Sequence, residues 1–305
     1  MKPLTGIVVV DLTRYLPGPF ASRELQRFGA RVVRLEAPGG DPLRDVAPEW
    51  DVWLNAGKES VLWDRKVDPQ LGPALCARAD VVLEGFRPGV AARLGVGPDD
   101  LPDSVVYCSL TGFGDASARV GHDLTYLGCA GALEPTAPAM PPLPIADLAA
   151  GGLTAVGRVL AALVERARTG SGARIVISMT HEAHELAHFS GLLTGQLACY
   201  RIYECADGRF LTVAALEPKF WQRLCELLHR PDLLPHANDA HRELEAVFRT
   251  RPLGEWLELF EGEDVCVGPV STLAEASRAF ARAETDVRTA ALGEHTDLWR
   301  EELRI

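Results

Sequence analysis

Apolar positions fall along this chain in short β-branched runs separated by longer amphipathic stretches. Ile7-Val8-Val9-Val10, Val32-Val33-Arg34-Leu35, Val61-Leu62-Trp63, Val81-Val82-Leu83 and Val105-Val106-Tyr107-Cys108-Ser109-Leu110 each read as a strand. Runs of this kind suit a parallel sheet with helices over both faces. After the first strand, Pro17-Gly18-Pro19 can open a helix carrying Phe20, Leu25 and Phe28, with Gly29 closing it. A further helix is expected from Pro69 to Ala79. A long one is expected to start near Asp147, carry Leu153, Val156, Leu160 and Leu163, and stop at Thr169-Gly170-Ser171-Gly172 before a strand over Arg174-Ile175-Val176-Ile177-Ser178.

Beyond Thr180 the pattern changes. A helix with His181, His184 and His188 on one side should run to near Gly195, and Tyr200 to Glu204 and Phe210 to Val213 flank Asp207-Gly208, a hairpin signal. Helices follow at Pro218 to Leu228, Arg242 to Phe248 and Leu253 to Phe260, then a strand at Val265 to Val270 and a helix from Thr272. The expected architecture is α/β: a large Rossmann-like parallel-sheet domain over 1–189 and a smaller α+β domain over 190–285, with 286–305 packing back on the first. No Gly-x-Gly-x-x-Gly follows the first strand, so the pattern gives a dinucleotide site no support.

Lys plus Arg number 31 against 42 Asp plus Glu, a formal charge of −11. That balance argues against nucleic acid or an anionic membrane as partner, and a polyanionic ligand would need local arginines. Seven scattered cysteines include no Cys-x-x-Cys pair, which fits a reducing cytoplasm better than zinc or dithiol chemistry. No apolar run reads as a bilayer span and no secretory signal opens the chain, so a cytoplasmic protein is expected.

Two stretches set a proton-transfer residue among small or apolar neighbours, where pKa values shift. They are Gly121-His122-Asp123-Leu124-Thr125-Tyr126 and Pro144-Ile145-Ala146-Asp147-Leu148-Ala149-Ala150-Gly151-Gly152. Read alone, Asp147 also suits a helix N-cap, and His122 a loop histidine with ordinary partners. His184-Glu185-Leu186-Ala187-His188 matches the zinc-protease pattern of two histidines one turn apart with a glutamate to activate water. Thr194, however, stands where the extended motif puts its third histidine. This stretch is taken as a polar helix face, and no metal is expected.

Several segments recur in one order: Val10-Asp11-Leu12-Thr13-Arg14 with Pro17-Gly18-Pro19, Gly40-Asp41-Pro42-Leu43-Arg44, Leu54-Asn55-Ala56-Gly57-Lys58, Ala79-Asp80-Val81-Val82-Leu83-Glu84-Gly85-Phe86-Arg87-Pro88-Gly89 and Tyr107-Cys108-Ser109-Leu110-Thr111-Gly112-Phe113-Gly114. This series resembles the family III coenzyme A transferases (CaiB/BaiF-like) and the α-methylacyl-CoA racemases that share their fold. Three positions favour the racemase branch: His122, Asp147 and Glu217 in Leu216-Glu217-Pro218. The approach to the hairpin, Gly195-Gln196-Leu197-Ala198-Cys199-Tyr200, also lacks the glycine-rich loop of the transferases. The linker between His122 and Asp147 and the segment from Thr180 to Tyr200 are shorter than in the racemases.

The resemblance implies catalysis by His122 and Asp147, with Glu217 orienting the His122 ring and favouring its protonated form. It puts Arg34, Lys58 and Arg87 at the adenosine phosphates of an acyl-CoA, and Gly121, Asp123 and Tyr126 along the pantetheine arm. It implies an interlocked homodimer, and no cofactor beyond the coenzyme A of the substrate itself. Inverting the α-carbon of a 2-methylacyl-CoA requires one base on each face. Amides opening the helix after Asp147, beside Gly151 and Gly152, are the expected donors to the enolate oxygen. The alternatives are a CoA transferase with Asp147 as nucleophile and, further off, an acyl-CoA binder without activity.

Overall fold

The computed structural model describes residues 2–189, 191, 193–281 and 288–305. It divides into two units, Met1–Ala187 with Glu284–Ile305, and His188–Ala283. In the first, the β-branched runs become β1 (Val8–Asp11), β2 (Arg31–Glu36), β3 (Glu59–Leu62), β4 (Val81–Glu84), β5 (Val106–Thr111) and β6 (Arg174–Ser178). They form one parallel sheet in the order β3-β2-β1-β4-β5-β6.

Successive side chains on a strand point to opposite faces, and both faces here are covered. Val9, Val32, Val81, Leu83, Val106 and Cys108 pack with Ala21 and Leu25 of α1 (Pro17–Arg27). Val10, Val33, Leu35, Val61, Val82 and Tyr107 face the other way, toward Leu71 and Leu75. After α1 come α2 (Leu43–Val46), α3 (Pro48–Asn55), α4 (Leu71–Arg78), α5 (Val90–Leu94) and α6 (Asp123–Cys129). A π-helix, Ala146–Leu153, then runs into α7 (Thr154–Thr169), and α8 (Met179–Ala187) follows β6.

The long helix near Asp147 therefore opens differently from expectation. Its first two turns are π-helical, Ile145 is its N-cap, and Asp147 lies inside the first turn. Two of its glycines set how closely α1 approaches it. A Cβ on Gly152 would lie 2.6 Å from Phe20 Cδ1, and one on Gly151 3.1 Å from Pro17 Cβ, so α1 closes against backbone alone. Contrary to the reading of the apolar runs, the stretch Ala146–Thr169 is long and apolar enough to cross a bilayer. Its residues Ala146, Ala150, Ala155, Val156 and Val159 are buried within the unit. The helix expected to reach Gly195 ends instead at Ala187.

The second unit has antiparallel strands β7 (Tyr200–Glu204), β8 (Phe210–Ala214) and β9 (Val267–Pro269) in that order. Gly208, at φ 73°, turns the hairpin. Helices α9 (Pro218–Leu227), α10 (His241–Phe248), α11 (Leu253–Phe260) and α12 (Leu273–Phe280) accompany the sheet. Tyr203, Trp221, Leu224, Phe248 and Trp256 are among its core. The last helix, α13 (Thr296–Leu303), returns to the first unit, where it packs on α4 and β3. There Trp299 is 1% exposed and donates Nε1–H to Glu59 Oε2 at 2.6 Å.

Candidate active site

The strand order reverses between β1 and β4, and open parallel sheets hold ligands beyond the carboxyl ends of their strands at such a point. The segment after β1 carries Tyr15 and that after β5 carries His122. Thr111 Oγ1 anchors the start of the second segment by donating to Ile177 O at 2.7 Å and accepting from Gly114 N at 2.9 Å. Gly112 O takes a further bond from Thr180 Oγ1 at 2.7 Å.

His122 is the N-cap of α6, with extended backbone (φ −130°, ψ 175°) and an exposed side chain. Its carbonyl accepts from Thr125 N at 2.7 Å and Tyr126 N at 3.1 Å, the first backbone bonds of that helix. The next residue, Asp123, turns its carboxylate to the π-helix, where Oδ1 accepts the backbone N–H of Asp147 at 2.8 Å. The starts of two helices are thus tied through one side chain. His122 adjoins this tie in sequence, and Asp147 is joined to it through its backbone amide.

Asp147 is 9% exposed. Burial, reinforced by the nearby Asp123 carboxylate, raises its carboxyl pKa to about 7. Burial also raises the pKa of Asp123, opposed by the N–H groups of Asp147 and Ala146. An acid poised near neutrality can both give and take a proton. Asp123→Asn keeps an oxygen acceptor for the Asp147 amide but removes the charge. The Asp147 titration midpoint should then fall below about 7, which ¹³C NMR of the aspartate carboxyls would follow; an unmoved midpoint would show that burial alone sets it.

Tyr126 is 8% exposed and donates its hydroxyl to Gly121 O at 2.5 Å, fixing the approach to His122. The absence of side chains at two glycines makes room for its ring. A Cβ would come within 2.8 Å of Tyr126 Cε1 at Gly121 and within 2.5 Å at Gly112. Gly121, His122, Asp123, Tyr126 and Asp147 thus form one constellation.

The expected phosphate-binding cations divide. Arg87 is exposed just after β4. Arg34 instead lies inside the unit, 4% exposed, with its guanidinium 3.2 Å from both Glu36 Oε1 and Asp51 Oδ1. Lys58 is also internal, donating to Pro19 O, Ser22 Oγ and Asn55 Oδ1 at 2.7–2.8 Å. Its ammonium pKa is pushed down to about 7 by burial, which outweighs the attraction of Asp11. Neither charge stands at the surface: Lys58 is held by inward acceptors, while Arg34 faces Glu36 and Asp51 with both terminal guanidinium nitrogens buried and without a hydrogen-bond partner among the described residues.

The expected enolate donors need the same correction. The amides opening the π-helix are already engaged: those of Ala146 and Asp147 by Asp123, and that of Leu148 by Pro144 O at 3.0 Å. Glu217 belongs to the second unit, exposed, as the N-cap of α9. His184 Nδ1 lies 2.9 Å from Ala130 O, and among the described residues no group of three His, Cys, Asp or Glu side chains is placed to hold a metal ion. One neighbour escaped the reading of the residues altogether. The ring of Tyr15 stands 6.1 Å from that of His122, nearly perpendicular at 86°, and Tyr15 carries no motif that would have announced it.

Comparison with known proteins places this geometry. The model of CoA-transferase family III matches residues 4–296. The chain is 35% identical to human alpha-methylacyl-CoA racemase over 89% of its own length and 78% of that protein's. It is 31% identical to mouse succinyl-CoA:glutarate CoA-transferase over 90% of its length and 73% of the relative's. The crystal structure of a CaiB/BaiF family protein from Brucella suis superposes with a TM-score of 0.83 at 26% identity, covering 99% of each chain.

Proposed function

As the chain belongs to CoA-transferase family III, an enzyme superfamily with both racemases and CoA-transferases among its relatives, we propose that it is a racemase of 2-methylacyl-CoA thioesters. The observation that carries the reading is the bond from Asp147 N to Asp123 Oδ1, which seats a buried carboxyl beside the helix start that bears His122. The identity to alpha-methylacyl-CoA racemase supports the same choice.

In this reading one base removes the α-proton, and the electron pair left on the α-carbon moves into the thioester carbonyl to give an enolate. The conjugate acid of the other base then delivers a proton to the opposite face, and the carbonyl re-forms. His122 serves one face and Asp147 the other. After one inversion the two groups have exchanged protonation states, and solvent exchange resets them. An Asp147 carboxyl near pH 7 is matched to both halves of the cycle. The enolate oxygen is assigned to the amides of Asp123 and Leu124, which open α6 ahead of its first backbone bonds, donated by Thr125 and Tyr126. These donors would meet negative charge as it develops. The exposed Arg87 is assigned to the phosphates of the coenzyme A moiety.

The CoA-transferases among the relatives give the second reading, in which the Asp147 carboxylate attacks the thioester carbonyl, the carbon–sulfur bond breaks with coenzyme A leaving as its thiolate, and an acyl-Asp147 anhydride is formed. Mass spectrometry after incubation with acyl-CoA and hydroxylamine separates the two. A racemase leaves Asp147 unmodified, whereas conversion of Asp147 to a hydroxamate would replace this reading with the transferase one.

A further inference from the structure

We propose that Tyr15 is the positioning residue for His122, its ring holding the imidazole in the orientation from which it reaches the substrate's α-carbon. The inference rests on the racemase reading and adds to it a residue that neither the ordered motifs nor the comparisons single out. Tyr15 has φ 65°, in the left-handed region that bulky side chains avoid. Glycine would adopt this backbone freely, so what tyrosine adds here is its ring.

The surroundings hold the backbone in place. Tyr15 N donates to Asp41 Oδ2 at 3.1 Å, and Asp41 is itself 2% exposed, with Oδ1 accepting Leu43 N at 3.0 Å. On the other side Leu16 leads into α1, whose Gly18 is pressed so closely on Thr13 that a Cβ there would overlap the threonine side chain. Pinned at both ends, the segment turns the tyrosine outward. Its side chain is 43% exposed, so it contributes little to the core.

The ring is directed at His122 across the switch point of the sheet, with centroids 6.1 Å apart and planes at 86°. This is the edge-to-face arrangement aromatic rings favour. His122 forms no capping bond with α6 through its side chain, so its own helix does not settle the rotation of its ring. Tyr15 supplies that restraint. The two residues come from segments following different strands, and the contact therefore registers one side of the cleft against the other.

The test uses Tyr15→Gly and Tyr15→Phe in the full chain. Glycine relieves the backbone and removes the ring, so the thermal midpoint should stay level or rise, and any lost activity is not lost folding. Exchange of the α-proton from the face served by His122 should fall about tenfold in kcat, with KM changed by less than about twofold and exchange at the Asp147 face retained. Phenylalanine should restore the rate. A rate loss equal at both faces, an unchanged ratio of the two faces, or failure of phenylalanine to rescue would each overturn the proposal.

A second readout needs no turnover. In protein with ¹³C-labelled histidine rings, the His122 signals should move and sharpen in Tyr15→Gly and remain in place in Tyr15→Phe. Unmoved signals in the glycine variant overturn the contact itself. If the wild-type protein exchanges no α-proton, the racemase reading fails, while this spectrum still decides whether Tyr15 holds the ring.

Discussion

Asp147→Asn is expected to lower inversion of a 2-methylacyl-CoA by about 10²–10⁴-fold, the usual contribution of a positioned acid or base, while making the protein more stable at pH 8. Both effects come from one property: the carboxyl is buried beside Asp123, and its pKa is raised from 3.8 to about 7. Between those values the folded protein holds a proton that the unfolded chain releases. The stabilisation from the protonated form is thus complete below about pH 4 and is lost as pH rises through about 7. Asparagine never ionises and escapes that loss. The variant should gain roughly 2–4 kcal/mol over wild type at pH 8 and close to nothing at pH 4, at about 1.36 kcal/mol per pKa unit. Chemical denaturation at the two pH values reads the difference; a gap independent of pH would mean that the charge at Asp147 carries no penalty.

His122→Ala is the second large effect, and its signature is asymmetry. The enantiomer whose α-proton faces His122 should lose exchange by about 10²-fold or more, whereas the other should still pass its proton to Asp147 and trade it with solvent, without completing inversion. Exchange and inversion would separate in this variant for one enantiomer, as they would in Asp147→Asn for the other. Measuring isotope wash-in for each pure enantiomer tests this directly; undiminished inversion of both would remove His122 from the reaction.

The sheet was legible because strands buried on two faces advertise themselves. Val9 and Val10 go to opposite cores yet are equally apolar, and the same holds for Val81 and Val82. The π-helix was not legible. Its alanines, leucines and glycines carry no signal that separates a π-turn from an α-turn, and what Gly151 and Gly152 provide is the close approach of α1. Asp147 consequently read as a cap, although its amide, not its carboxylate, makes the local bond.

Burial of charge was hidden for a similar reason. Arg34 read as one polar position in a strand and Lys58 as the end of a motif, and of the partners that draw them inward only Asn55 stands in that motif, whereas Asp51 and Ser22 lie elsewhere along the chain. Tyr15 left no trace at all. A tyrosine with positive φ follows no turn rule, and its proximity to His122 depends on the loops after β1 and β5 flanking the switch point.

The most direct test of the account is incubation of the protein in D₂O with each enantiomer of a 2-methylacyl-CoA and no acceptor acid, following deuterium at the α-carbon and chirality together. Two-base racemisation predicts deuterium in the inverted product from either enantiomer. Substrate that keeps both its proton and its configuration, with coenzyme A moving only once a free carboxylic acid is supplied, would contradict it.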